Sequence, residues 1–274
     1  KTLQISRDRF GQKPFYYAYL KTRNGIAFSS SIYVLLKLID FDPKLNYQKL
    51  EKYIHLGFRS SGLDPSETYI HDILSLEPGT TIKFDSKLKQ SKFEHYKNIR
   101  NPELDIDHDE FLYNLYGNIN KSVSEVLISD RPLSLLLSGG VDSSFIYHLL
   151  KKLNKDGDIS AYSHKHSIDG YDETKNIELN IKNSNSKHEY VRSNKLNIEK
   201  LWWDFTKENL SPLPNQSAFS YASLVERIKE NNEVVILSGV GADELFGGYY
   251  THLIAYVSDL YKANPSDPLL KQWI

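Results

Sequence analysis

Two stretches of this chain carry serine, glycine and aspartate in an order that suits nucleotide phosphate chemistry. The first, Leu133–Ser144, reads Leu-Ser-Leu-Leu-Leu-Ser-Gly-Gly-Val-Asp-Ser-Ser. An apolar run stops at Ser138-Gly139-Gly140, then Asp142, Ser143 and Ser144 follow, and a helical pattern starts at Phe145. This predicts a buried strand, a tight turn and a helix start. Glycine lets backbone come close to a ligand, and free N–H groups at a helix start favour negative charge. Asp142 would repel a bare phosphate, so a bridging Mg²⁺ is expected with it. A generic strand–turn–helix connection capped by Ser and Asp is the plainer alternative. The second stretch, Val234–Tyr249, reads Val-Val-Ile-Leu-Ser-Gly-Val-Gly-Ala-Asp-Glu-Leu-Phe-Gly-Gly-Tyr. Again a buried strand ends in Ser-Gly, here Ser238-Gly239, and Asp243 follows. Two such loops, each with one carboxylate, make a clamp for Mg²⁺ and a nucleotide. The plainer reading makes Asp243 and Glu244 charges that complement a helix dipole.

Both turns need a parallel sheet to place them. The sequence predicts strands at Leu133–Leu137, Ile159–Ser163, Glu189–Val191 and Glu233–Leu237. They alternate with helices at Ser144–Leu153, Asp172–Ser184, Ile198–Glu208 and Ala218–Asn231, after an amphipathic helix at Asp109–Ser129. That alternation implies right-handed βαβ units. Ligands bind beyond the carboxyl ends of such strands, where both Ser-Gly turns fall. Residues 1–98 are strand-rich instead: Thr2–Ser6, Phe15–Leu20, Ile26–Ser30, Thr81–Phe84 and Phe93–Tyr96, with Asn24-Gly25 as a hairpin turn. Short helices at Ser31–Ile39 and Asn46–Leu56 interrupt them, and a polar boundary runs from Asn98 to Asp107.

Composition narrows the function. The 274 residues carry a net charge of −1, which gives no bulk signal for nucleic acid or membrane surfaces. There are no cysteines, which removes disulfides, thiolate metal sites and a cysteine nucleophile from these residues. No apolar run approaches a membrane span and no signal-peptide pattern opens the chain, so a cytoplasmic address is expected. The chain starts at Lys1 in strand-like sequence, and Asn264–Ile274 resembles no domain ending, so a piece truncated at both ends is expected.

No GxxxxGK[ST] or GxGxxG follows a strand, and Ser138–Ser144 instead resembles the PP-loop of ATP pyrophosphatases. Together with Ser238–Tyr249 it resembles the asparagine synthetase (glutamine-hydrolysing) family. Arg7–Tyr17 (Arg-Asp-Arg-Phe-Gly-Gln-Lys-Pro-Phe-Tyr-Tyr), Phe28–Leu36 and the turn Leu76-Glu77-Pro78-Gly79 resemble late parts of that family's glutamine-hydrolysing domain. Tyr171-Asp172-Glu173 resembles a recurring Asp-Glu pair at a helix start, equally readable as an acidic cap. The resemblance implies an α/β fold: a Rossmann-like parallel sheet of the PP-loop type over 99–274, preceded over 1–98 by the C-terminal part of an Ntn-type glutaminase β-layer. It implies Mg-ATP, adenylation of the aspartate side-chain carboxylate, loss of pyrophosphate, and attack by glutamine-derived ammonia to give asparagine and AMP. AMP turns a poor electrophile into a reactive one, and the protein mainly positions and neutralises charge. It further implies that Leu137 touches the nucleotide, that Ser138, Gly139, Gly140, Ser143 and Ser144 cradle the pyrophosphate, and that Asp142 and Asp243 hold Mg²⁺. Ser238 and Gly239 would meet the adenosine through backbone, and His164 would fall near the adenine. The implied partners are small molecules: ATP, aspartate or another carboxylate, and glutamine or ammonia. A homodimer stays open.

The pattern breaks in three places. Val240 stands where the family has a glutamate, and valine neither takes a proton nor orients ammonia. A related ligase with another acceptor, or a degenerate Mg-ATP-binding module, therefore remains open, and no catalytic residue is assigned. Pro214–Ala218 departs from the family's Asp-Pro-Ser-Ala, and the family's cysteine nucleophile and downstream lysine lie outside these residues. His164 and His166 would share a strand face, but with no third ligand they read as structural or surface histidines. Trp202-Trp203 reads as packing.

Overall fold

The computed structural model describes residues 2–272 except 21–24, 40–41, 58, 60–63, 86, 88–89, 95–105, 154, 166–171 and 193–196. These residues form two compact units, Lys1–Asp105 with Leu196–Phe219, and Ile106–Lys195 with Ser220–Ile274. No helix among the described residues is long and apolar enough to cross a membrane.

The first unit holds β1 (Leu3–Ser6), β2 (Tyr16–Leu20), β3 (Gly25–Ser29), α1 (Ile32–Leu38), α2 (Tyr47–Leu56), β4 (Leu74–Ser75), β5 (Thr80–Phe84) and β6 (Gln90–Glu94). Its strands form two antiparallel sheets, in the orders β1-β5-β6 and β3-β2-β4. Tyr17 of one sheet shares a buried cluster with Ile5, Ile82 and Phe84 of the other. Its neighbour Ala18 faces the opposite way, as strand alternation requires, and packs on Ile32 and Leu35 of α1. A later helix, Ile198–Asn209, packs against α1 and delivers Leu210 to the same core. Ser31 and Asn46 cap α1 and α2 with side-chain oxygens, and Gly57 ends α2 at φ 72°. The Arg7–Pro14 stretch is a knot. The Arg7 guanidinium donates to the carbonyls of Gly11 and Lys13 at 2.9 Å each and of Leu76 at 2.5 Å. The Asp8 carboxylate accepts from the Gln12 amide at 2.8 Å, which holds its pKa below the usual carboxylate value. The two stretches with a glutaminase-like sequence are thus tied to each other by a half-buried fork of donors. The predicted strand Phe93–Tyr96 falls earlier, at β6. Asn24 of the predicted hairpin turn, Tyr96, and all but residues 106–107 of the predicted boundary lie outside the described residues.

The second unit is the parallel one. It contains α3 (His108–Val126), β7 (Leu133–Leu136), α4 (Val141–Lys152), β8 (Ser160–His164), α5 (Thr174–Ile181) and β9 (His188–Val191). After Ile198–Asn209, which is α6, come α7 (Ser217–Glu230), β10 (Val235–Leu237), α8 (Ala242–Phe246) and α9 (Tyr250–Ala263). The strand order is β10-β7-β8-β9, all parallel, with Leu135 opposite Ala161 and Leu237. Strand alternation sends Leu135 and Leu137 into a core with Val123, Tyr147, Leu149, Leu150 and Ile177. It sends Leu136 to the other face, with Tyr162, Leu224 and Ile228. Helices therefore cover both faces of the sheet, which is why its strands read as unbroken apolar runs. On the α7 face, Glu233 takes a short hydrogen bond from the fully buried Ser134, and Asn231 donates to the Tyr162 hydroxyl at 2.8 Å.

Candidate functional site

The chain runs from β7 outward through β8 to β9, then returns to place β10 on the far side of β7. The strand order therefore switches direction between β7 and β10. Open α/β sheets bind ligands at that crevice, beyond the strand carboxyl ends. Both Ser-Gly corners emerge there, Ser138-Gly139-Gly140 after β7 and Ser238-Gly239 after β10. They touch. A Cβ added to Gly239 would lie 2.8 Å from the Asp142 Cβ and 2.9 Å from the Ser143 amide nitrogen. Only glycine lets the second corner approach the first this closely.

The helix after the first corner starts at Val141, three residues before the predicted start at Ser144. Asp142, Ser143 and Ser144 thus lie on a helical first turn, where successive side chains diverge by about 100°. Asp142, half-buried, packs its Cβ region against Gly239. Ser143 turns inward: its buried hydroxyl accepts from the Ser138 amide at 3.0 Å and donates to the Ser138 carbonyl at 3.1 Å. Ser144 turns to α5, and its hydroxyl accepts from Asn180 Nδ2 at 2.7 Å. Gly140 caps α4 and has no side chain to satisfy that helix's first amides.

The corner's own amides, which precede the helix start, have partners. The Ser138 amide donates to Ser143 Oγ at 3.0 Å, the Gly139 amide to Glu173 Oε2 at 3.1 Å, and the Gly140 amide to Ser138 Oγ at 3.2 Å. Side chains supply the acceptor for all three. Glu173, Asn176 and Asn180 form a polar stripe on and just before α5, at the spacing of one helix face. Asn176 Nδ2 donates to the Gly139 carbonyl at 3.4 Å. A Cβ on Gly139 would meet Glu173 and Asn176 Cβ atoms at 2.7 and 2.8 Å. The sequence singles out Glu173 as half of an Asp-Glu pair, but Asn176 and Asn180 escape notice. Their i, i+3, i+7 spacing with Glu173 is the available signal.

Of the other predicted site residues, Leu137 is buried in the core. Its amide donates to the Tyr162 carbonyl at 2.8 Å and its carbonyl accepts from Ser163 Oγ at 2.6 Å, so it offers the crevice neither side chain nor free backbone group. Ser163 also bonds His188 Nε2 at 2.8 Å, a pair behind the corner that no motif flags. His164 closes β8 at the carboxyl edge, half-buried; its proposed companion His166 lies outside the described residues, as does Tyr171. Ser238 and Gly239 are half-buried at the crevice. Asp243, half-buried on α8, lays its carboxylate over the backbone of Gly248, where any Cβ would fall 1.8 Å from Oδ1. Glu244 instead accepts from the Tyr249 hydroxyl at 2.7 Å; that bond lowers the Glu244 pKa and pushes Tyr249 up to about 12. Val240 is 72% exposed, so it is not a packing residue. Among the described residues no group of three or more His, Asp or Glu is arranged to hold a metal ion. Two carboxylates do suit Mg²⁺, which binds through one or two carboxylates plus phosphate oxygens and water. An amide already holding a carboxylate oxygen suits a phosphate oxygen equally.

A parallel α/β sheet with paired corners at its switch point follows an antiparallel unit, and family models divide the chain in the same order. A glutamine amidotransferase domain matches residues 1–97, and asparagine synthase matches residues 114–273. The chain belongs to the asparagine synthase family. A putative asparagine synthetase (glutamine-hydrolyzing) of Methanocaldococcus jannaschii is 28% identical over 95% of this chain and 49% of its own length. Two asparagine synthetases (glutamine-hydrolyzing) of Bacillus subtilis are 29% and 25% identical, over 89% and 90% of this chain and 37% and 41% of theirs. The chain thus spans half or less of the length of these relatives. A solved NH3-dependent NAD synthetase from Campylobacter jejuni is 18% identical over 53% of this chain and 61% of its own, with a TM-score of 0.32, a likeness that carries no argument.

Proposed function

We propose that this chain is part of a glutamine-dependent asparagine synthetase that adenylates the side-chain carboxylate of aspartate with Mg-ATP and passes it to ammonia. In this reading residues 1–98 are the C-terminal part of an Ntn-type glutaminase layer and 99–274 most of the ATP-pyrophosphatase domain, working in the cytoplasm on small molecules. The observation that carries it is the contact of Gly239 with Asp142 and Ser143, in a chain matched by the asparagine synthase family model. That contact brings a carboxylate-bearing helix start and a second Ser-Gly backbone to one crevice.

The triphosphate would lie on the uncapped start of α4, whose amides and dipole favour anions. Ser138, Gly139, Gly140 and the Ser144 hydroxyl would receive the departing pyrophosphate, Ser238, Gly239 and His164 would border the adenosine, and Asp142 and Asp243 would hold Mg²⁺. Mg²⁺, when bound, supplies neutralisation of the charge that develops on pyrophosphate. Ser143 and Leu137 would act indirectly, by fixing the corner.

A second reading rests on Val240. An exposed apolar side chain at the tip of the second corner offers no acceptor for an ammonia proton, and favours a related ligase with another acceptor. Mg-dependent exchange of labelled pyrophosphate into ATP tests both. Exchange that requires aspartate supports the synthetase. Exchange only with another carboxylate shifts the assignment to the related ligase, and nucleotide binding with no exchange reduces the chain to a binding module.

A further inference from the structure

The three amides of the first corner have partners of two kinds. Ser138 and Gly140 donate to neutral serine hydroxyls of the corner itself. Gly139 donates to a charged carboxylate that comes from another element, 34 residues away. Glu173 stands at the N-cap of α5, where an acidic side chain ordinarily accepts from its own helix's amides. It makes no such cap bond. Asp172 takes the Thr174 amide instead, at 3.1 Å. Glu173 thus forgoes its local partner for the corner. The backbones are locked together, with Asn176 on the Gly139 carbonyl and no room for a Cβ between them. The Glu173 side chain, by contrast, is exposed and rotates about its own bonds. Its carboxylate can leave the amide with no backbone movement.

We propose that Glu173 is a specificity-determining plug, whose carboxylate occupies the Gly139 amide until a metal-complexed polyphosphate displaces it. This rests on the reading of the corner as a phosphate site. A carboxylate oxygen and a phosphate oxygen are interchangeable acceptors for one N–H, so the two compete. A displaced Glu173 remains beside the incoming anion, with Asp142 close on α4. A free phosphate meets that negative charge uncompensated, and one carrying Mg²⁺ does not. The plug therefore selects the metal complex over the bare anion.

Glu173→Gln keeps the length and a carbonyl acceptor for Gly139, removes the charge and replaces one acceptor oxygen by an NH2 donor. Asp172→Asn removes the neighbouring charge, which holds Thr174 rather than the Gly139 amide. Calorimetric titration of each variant, and of the unaltered chain, with Mg-ATP and with metal-free inorganic pyrophosphate tests the proposal. E173Q is expected to bind both probes roughly tenfold tighter, the larger gain falling on metal-free pyrophosphate, while D172N shifts either by less than about twofold. Affinity unchanged or weakened in E173Q, or an equal gain in D172N, overturns the plug and leaves the phosphate site standing. If no variant and not the unaltered chain binds either probe, the phosphate reading falls and the plug with it.

Discussion

Gly239→Ala tests whether the two corners act as one site. The added Cβ would stand 2.8 Å from the Asp142 Cβ, 2.9 Å from the Ser143 nitrogen and 3.2 Å from the Asp142 carbonyl carbon. Carbon atoms settle at about 3.5 Å or more, so one corner must retreat by about 0.7 Å. Two of the three atoms in the way are backbone of the first turn of α4, and no rotamer change relieves them. Overpacking of this kind costs about 1–3 kcal/mol, which in a unit of this size lowers the melting temperature by about 2–4 °C per kcal/mol. The functional effect follows from the same retreat. A displacement near 1 Å in a positioned site costs on the order of a hundredfold, so the Mg-ATP dissociation constant is expected to rise at least tenfold. Gly157→Ala is the control: its Cβ would meet only Asn185 Cβ at an ordinary 3.5 Å, and neither stability nor affinity is expected to move. The assay is calorimetric titration with Mg-ATP beside a thermal melt. A G239A variant that melts lower yet binds Mg-ATP like the unaltered chain would refute the reasoning, because the corners would then touch without sharing a ligand.

Two further outcomes follow from groups behind the corner. Burial lowers the His188 pKa from 6.5, so the unfolded chain binds more protons than the folded one as pH falls below that value. Stability is expected to hold above about pH 7 and decline toward about pH 5.5, a slope that thermal melts of His188→Gln should lose. Ser143→Ala strips the Ser138 amide and carbonyl of one buried hydroxyl partner and is expected to cost about 1–3 kcal/mol in denaturant unfolding; an unchanged midpoint would show that water replaces it freely.

The parallel sheet was legible because its strands are buried on both faces. Leu133–Leu137 and Glu233–Leu237 carry apolar residues with little polar alternation, and only a sheet sandwiched between helices uses such runs. The start of α4 was not legible from periodicity, since Val-Asp-Ser-Ser shows one apolar residue and no repeat. Gly140 sets it instead, as a cap without a side chain. That shift of a few residues decides the site. In a loop, Asp142, Ser143 and Ser144 would all face one ligand; on a helical turn they face Gly239, the corner's interior and Asn180 in succession. The position of β10 beside β7 is likewise beyond local pattern, because it depends on where a long excursion through α6 and α7 returns.

The same logic explains why the occupied amides escape a reading of the motif. On the proposed reading the corner offers phosphate three N–H groups near a sheet edge, and side chains hold all three. On that reading each acceptor would be provisional, one that a ligand displaces. Ser143 and Ser138 serve two of them from within five residues, so the serines of Ser-Gly-Gly-Val-Asp-Ser read as ligand contacts when they are first of all the corner's internal closure. The third acceptor has to come from a packed neighbour, since Gly139 and Gly140 offer no side chain. Glu173 reaches it because α5 packs against α4. On the proposed reading, the strength of nucleotide binding at this corner would be a difference between two acceptors rather than the property of a loop. The charge on the displaced one becomes a determinant of affinity equal in kind to the residues of the motif itself.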